Sequence, residues 1–217
     1  MRRGKTRTLD STNNVTDPAA TPKIARKLVV IFDIAHSTSI LEDLIRTENV
    51  DAWQKVLGLL KRFLWSEKVG RRQMYKFLGD GWILLFDDGE LEGGRVIELL
   101  EKISAKYQEL FNTHVASVLS NMLSPIGLTF GIDEGSLVEI VMNNQREYVG
   151  RAINVAARLQ GATKSMSEPA PGLLLISNNA FARLKLDLRH DIVECDLANV
   201  AGGEKYRARK VRISEVE

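Results

Sequence analysis

The sequence predicts an α+β protein built on a ferredoxin-like β-α-β-β-α-β core, an antiparallel sheet covered by helices. Three observations carry that expectation. Short β-branched runs alternate with longer stretches whose apolar residues recur at helical spacing. A Gly-Asp-Gly turn, Gly79-Asp80-Gly81, joins two strand-length runs into a hairpin. No linker inside residues 27–215 is long enough to divide them.

In chain order, Lys27 to Ile34 (KLVVIFDI) reads as a strand ending at an acid. Ala35-His36-Ser37-Thr38-Ser39 is a tight turn, and Ile40, Leu41, Leu44 and Ile45 follow at helical spacing. Asp51 to Val69 is a second amphipathic helix with Trp53, Val56, Leu57, Leu60, Phe63 and Leu64 on one stripe. Met74 to Leu78 and Trp82 to Phe86 are the hairpin strands, closed by Asp87 and Asp88, which are expected to face water. Gly93 to Leu123 has a long helical pattern that Pro125 stops. Ile126 to Ile132 and Ser136 to Met142 are expected to pair around a turn at Asp133-Glu134-Gly135. Gly150 to Gly161 is a helix, Leu173 to Ile176 a strand, Ser177 to Leu184 a helix, and Ile192 to Asp196 and Tyr206 to Ile213 are terminal strands.

With 44% hydrophobic and 27% charged residues, the 217-residue chain is ordinary globular material, which excludes disorder throughout. A formal charge of +2 is too balanced for a protein that coats nucleic acid or an anionic membrane. Residues 1–27 hold seven basic side chains against two acids, and residues 1–26, a Thr-, Asn-, Asp- and Pro-containing stretch, read as a disordered basic arm without the apolar run of a signal peptide. No apolar run approaches the roughly 18 residues of a membrane span, so a soluble, cytoplasmic protein is expected. Cys195 lies in an apolar-polar alternation and reads as a core thiol. His36, His114 and His190 have no metal-ligand spacing.

Asp33 ends a hydrophobic strand and Asp80 sits at a hairpin tip. If the two strands are neighbours, two hard oxygen donors meet at one sheet edge and suit Mg²⁺ or Mn²⁺. Taken singly, Asp33 reads equally as a helix cap and Asp80 as a turn residue. The backbone from Ile34 to Thr38, with the Thr38 hydroxyl, leads into a helix start that suits a triphosphate, and Ser37 or Thr38 also fits an ordinary N-cap. Asn154 and Arg158 lie four residues apart on a helix whose other positions are apolar or small, forming a polar edge that is either functional or merely solvated.

Four blocks carry a family resemblance. Val30-Ile31-Phe32-Asp33-Ile34 with Ser37-Thr38, Lys76-Phe77-Leu78-Gly79-Asp80-Gly81, Phe130-Gly131-Ile132-Asp133-Glu134-Gly135, and Tyr148-Val149-Gly150-Arg151-Ala152-Ile153-Asn154-Val155-Ala156-Ala157-Arg158-Leu159 resemble, in order, the catalytic domain of class III nucleotidyl cyclases. The resemblance spans about residues 27–213. It implies the cyclase fold, a nucleoside triphosphate substrate, a head-to-tail homodimer with shared active sites, and two divalent ions per site held by Asp33, Ile34 and Asp80. It further implies that Asn154 and Arg158 come from the partner chain to orient the substrate and stabilise the transition state. Ser37 and Thr38 fall at the phosphates. A phosphate-contacting lysine is expected in the last hairpin, where Ala201-Gly202-Gly203-Glu204-Lys205 departs from the usual spacing and leaves Lys205 as candidate or as a solvated strand-end residue.

For the base, Lys76 stands where adenylate cyclases keep a lysine and guanylate cyclases a glutamate. Glu147 replaces the usual Asp or Thr, and Arg151 the usual Asp or Asn. Longer side chains at both positions favour a one-ring base, since Arg donates to a pyrimidine carbonyl and Glu accepts from an exocyclic amine. The blocks around Lys76 and Arg151 are similar to the pyrimidine cyclases of bacterial Pycsar anti-phage systems, which make cUMP or cCMP for a separate cyclic-nucleotide-binding effector. The expected activity is therefore cyclisation of UTP or CTP, with an adenylate cyclase or an inactive nucleotide-sensing homologue as alternatives. A diguanylate-type cyclase would show a Gly-Gly-Asp/Glu-Glu-Phe hairpin, which Phe77 to Trp82 is not.

Overall fold

The computed structural model describes residues 22–67, 74–87, 89, 92–121, 125–142, 145–187 and 189–213. Most of the arm expected at 1–26, together with Val69, Asp88 and Leu123, lies outside them. Among the described residues, eight strands and five α-helices follow one another as β1 (Lys23–Ile34), α1 (Ser37–Arg46), α2 (Val50–Ser66), β2 (Met74–Phe77), β3 (Gly81–Asp87), α3 (Gly93–His114), β4 (Leu128–Met142), β5 (Gln145–Val149), α4 (Arg151–Ala162), β6 (Leu173–Ser177), α5 (Asn178–Leu184), β7 (Asp191–Cys195) and β8 (Tyr206–Arg212), the predicted elements with β5 added and the two strands expected over 126–142 joined in β4. The sheet order is β2-β3-β1-β4-β6-β8-β7, with β5 pairing β4 off that path. β1 is antiparallel to both β3 and β4, which is the arrangement expected of the β-α-β-β-α-β core.

β1 is central and buried on both faces, which is why it reads as a continuous apolar run rather than an alternation. Leu28, Val30, Phe32 and Ile34 join the main core beneath α2 and α3. Val29 and Ile31 turn to the other face, with Ile83, Leu85 and Leu137, under Ala152 and Ala156 of α4. The α4 backbone sits against the sheet at Gly131, where an added Cβ would lie 2.1 Å from the Ala156 carbonyl oxygen and 2.5 Å from the Gln160 nitrogen. That close approach fixes the height of α4 over the end of β1.

Three expectations need correction. α3 ends at His114, nine residues before the predicted Leu123, because the chain passes into a single 3-10 turn at Ala116–Val118, where Val118 N–H donates to the Val115 carbonyl. β1 begins at Lys23, four residues before the predicted Lys27, because Lys23 to Arg26 pair with Ser136 to Glu139 of β4. The turn expected at Asp133-Glu134-Gly135 is the middle of the fifteen-residue β4, which runs on to Met142 and pairs antiparallel with β5 from Gln145. Asp133 and Glu134 look like turn residues in sequence, yet they are 2% and 8% exposed. Glu134 is held by Arg26 and by Arg183 at 3.2 Å, and Asp133 by Ser177. Partners distant in sequence let the strand carry acids through its interior.

Candidate active site

Asp33 is the penultimate residue of β1 and faces α4, directly opposite Gly81 on β3. The hairpin closes with Leu78 N–H donating to the Gly81 carbonyl at 2.8 Å and Gly79 at φ +99°, a conformation that suits glycine. A Cβ at position 81 would lie 2.2 Å from the Phe32 carbonyl oxygen and 3.2 Å from Asp33 Oδ1, so glycine leaves the space into which the Asp33 carboxylate leans. This register brings the Asp33 and Asp80 carboxyl groups within reach of each other. Burial first, and then the charge of Asp80, push the Asp33 carboxyl above its ordinary pKa, and Lys164 opposes them.

The Ser37 hydroxyl donates to Asp80 Oδ2. Ser37 opens α1, which His36 enters at φ 61° with no side chain capping the helix. The uncapped first turn leaves backbone N–H groups beside the two acids, with Thr38 exposed at its rim. Ile34 contributes only backbone here, its side chain being buried in the main core.

Sequence reasoning missed two neighbours of the Asp33 carboxylate. Lys164 Nζ lies 3.1 Å from Asp33 Oδ2. Gln160 Nε2 lies 3.5 Å from the same oxygen and donates to Thr129 Oγ1 at 2.8 Å. Gln160 and Lys164 are spaced for one helix face, but nothing local shows that this face returns to an acid more than 125 positions earlier.

Asn154 and Arg158 are exposed on the side of α4 that the sheet does not cover. Neither makes a hydrogen bond or ion pair with a described residue of its own chain, Asp33 and Asp80 included. Lys76 and Glu147 come from strands that are not sheet neighbours, and their side chains meet at 3.0 Å. Arg151 goes elsewhere. Its guanidinium reaches the Ala201 carbonyl at 3.4 Å and lies near Asp133 and Tyr206, with no hydrogen bond or ion pair to Lys76 or Glu147. Lys205 is exposed in the β7–β8 loop at φ 50°. Asp87, expected to face water, is half-exposed and paired with Lys27. Cys195 is buried, as expected, and burial pushes its thiol pKa up.

Asp33 and Asp80 form a two-carboxylate site; among the described residues no group of three or more His, Cys, Asp or Glu side chains could hold a metal ion. Nor is any described helix long and apolar enough to cross a membrane.

Among solved structures, the chain aligns over 91% of its length with 98% of the adenylyl cyclase CyaB from P. aeruginosa, at 17% identity and a TM-score of 0.65. The fold is that of class III nucleotidyl cyclase catalytic domains. A bacterial light-regulated adenylyl cyclase aligns at 18% identity and TM-score 0.65 over 88% of this chain. The chain spans about half of that longer protein, 52%. The guanylyl cyclase Cya2 aligns at 17% identity and TM-score 0.63 over 90% of this chain and 95% of its own. No protein-family model and no curated protein matches the sequence.

Proposed function

We propose that this chain is a nucleotidyl cyclase that converts a nucleoside triphosphate, UTP or CTP before ATP, to its 3′,5′-cyclic monophosphate and pyrophosphate, with residues 27–215 as the catalytic unit. The observation that carries the reading is the meeting of Asp33 and Asp80 beside Ser37 and the uncapped start of α1.

Two hard-oxygen donors, one of them held above its ordinary pKa by burial and a like charge, fit Mg²⁺ or Mn²⁺, because a dication relieves that repulsion. Divalent ions held by Asp33, Asp80 and the Ile34 backbone would polarise the α-phosphate and acidify the ribose 3′-OH. The 3′-oxygen attacks the α-phosphorus, the bond to the bridging β-phosphate oxygen breaks, pyrophosphate leaves and the hydroxyl proton passes to solvent. The N–H groups of α1 with Ser37 and Thr38 hold the phosphates. Arg158 neutralises charge growing at the α-phosphate and the leaving group, and Asn154 orients the ribose. Since both are exposed and neither contacts the acids of its own chain, they would serve Asp33 and Asp80 of a second copy, which makes the enzyme a homodimer with shared sites.

The Lys76–Glu147 pair is the base reader. Glu147 is a methylene longer than the Asp expected at an adenine site, and it reaches Lys76, which supports a pocket for one ring rather than two. The Pycsar resemblance extends this reading to a cytoplasmic second-messenger enzyme of anti-phage defence whose product is read by a cyclic-nucleotide-binding effector. Lys76 also favours a second reading, ATP as substrate.

The deciding experiment is incubation of purified protein with each of the four nucleoside triphosphates and Mn²⁺, with products resolved by chromatography and mass. Cyclic UMP or CMP as the main product is expected. Cyclic AMP alone would overturn the pyrimidine assignment and keep the cyclase; no cyclic product from any triphosphate would leave a nucleotide-binding homologue.

A further inference from the structure

Lys164 is the neighbour of Asp33 that the proposed chemistry does not use. It stands on a single 3-10 turn, Thr163–Ser165, directly after α4. The turn is well anchored: Thr163 is fully buried, its hydroxyl donates to the Gln160 carbonyl at 2.6 Å, and Met166 N–H donates to the Thr163 carbonyl. The base of the lysine is thus fixed while its side chain, 60% exposed, is free to swing.

The ammonium lies 3.1 Å from Asp33 Oδ2, with Gln160 Nε2 at 3.5 Å from the same oxygen. The Asp33 and Asp80 carboxyl groups meet at one sheet edge, and Lys164 brings one positive charge to Asp33. A dication bound between the acids would meet that ammonium at short range, and two cations repel wherever one attracts a carboxylate. Metal entry and the Lys164–Asp33 contact would therefore compete.

We propose that Lys164 is a tethered counterion of the Asp33–Asp80 site, competing with the divalent ion for Asp33 and swinging out when metal binds. The proposal rests on the reading of Asp33 and Asp80 as metal ligands. It gives the chain a device that offsets part of the diacid's charge without metal and weakens metal binding in the absence of substrate. A triphosphate beside the acids would offer the displaced ammonium a new partner, which couples metal loading to nucleotide.

The test uses the full chain without nucleotide and Mn²⁺ alone, reading free Mn²⁺ by electron paramagnetic resonance at low ionic strength. Removing an exposed ion pair and a nearby positive charge, Lys164→Met is expected to tighten Mn²⁺ binding about three- to tenfold, while Lys164→Arg stays near wild type. Added NaCl should narrow the gap between Lys164→Met and wild type. Asp33→Asn serves as the anchor and should abolish the tight site. If Asp33→Asn abolishes binding but Lys164→Met leaves it unchanged or weaker, Lys164 is no competitor and the metal site stands. If Asp33→Asn leaves Mn²⁺ binding intact, the metal assignment itself falls, and the Lys164 proposal with it. Thermal melting of Lys164→Met, expected within about 3 °C of wild type because an exposed ion pair contributes at most about 1 kcal/mol, separates a local effect from misfolding.

Discussion

Replacing Asp33 with asparagine should abolish cyclase activity and make the protein more stable. The substitution keeps the shape of the side chain and removes a charge from a position only 17% exposed. Two unit charges roughly 4 Å apart repel by about 4 kcal/mol at an effective dielectric of about 20, so ionised Asp33 beside Asp80 carries a substantial penalty. The opposing Lys164 contact is 60% exposed on the lysine side and worth about 0.2–1 kcal/mol. The Ser37 hydroxyl remains on Asp80 in either case. Allowing for relaxation of the hairpin tip, the neutral side chain should win by about 1–2 kcal/mol, which for a chain of this size raises Tm by about 3–6 °C. The pH dependence has a definite sign. Because the folded-state pKa of Asp33 is raised, wild type gains stability as pH falls through it, and the advantage of Asp33→Asn should shrink from pH 7 toward about pH 4. Calorimetry or fluorescence melting at both pH values, alongside a turnover assay, measures the two effects. A variant that melts below wild type at pH 7, or whose advantage is independent of pH, would show that the two acids do not strain each other; full retention of turnover would refute their catalytic use.

Arg158→Ala should lower turnover about 10²–10³-fold with Tm unchanged, because the side chain is exposed and without a partner among the described residues of its own chain; a loss under about fivefold would remove it from the transition state. Gly131→Ala forces a methyl against the α4 backbone and should destabilise the fold by about 1–3 kcal/mol while lowering activity, whereas Gly58→Ala, with nothing within 4 Å in an exposed helix position, should raise Tm slightly; paired melts check both. Asp43 accepts from the Ser120 hydroxyl and backbone N–H and from Arg46, which hold its pKa down to about 2. Asp43→Asn should therefore lower Tm at pH 7, and the deficit should vanish as pH falls from about 4 to about 2, where wild type loses the same contribution.

Local chemistry was enough to read the element order, because the period of the apolar residues separates strand from helix and the Gly79-Asp80-Gly81 turn specifies a hairpin. It also marked Asp33, Asp80, Asn154 and Arg158, since an acid ending a strand, an acid in a glycine turn and a polar edge on an apolar helix are each visible without neighbours. The Asp133-Glu134 stretch misled for the opposite reason. Two acids beside a glycine have turn chemistry in isolation, and only Arg26, Arg183 and Ser177, supplied from elsewhere in the chain, make them bearable inside β4.

What the linear chain could not decide is which groups share a charge. Pairing of β1 with β3 sets Asp33 opposite Gly81, the seating of α4 on Gly131 carries Gln160 and Lys164 to Asp33, and the path of β5 brings Glu147 to Lys76 while Arg151 turns to the β7–β8 loop. Electrostatic partnership falls off within a few ångströms, and distances of that size between residues a hundred positions apart exist only once strands are in register and a helix has settled on the sheet.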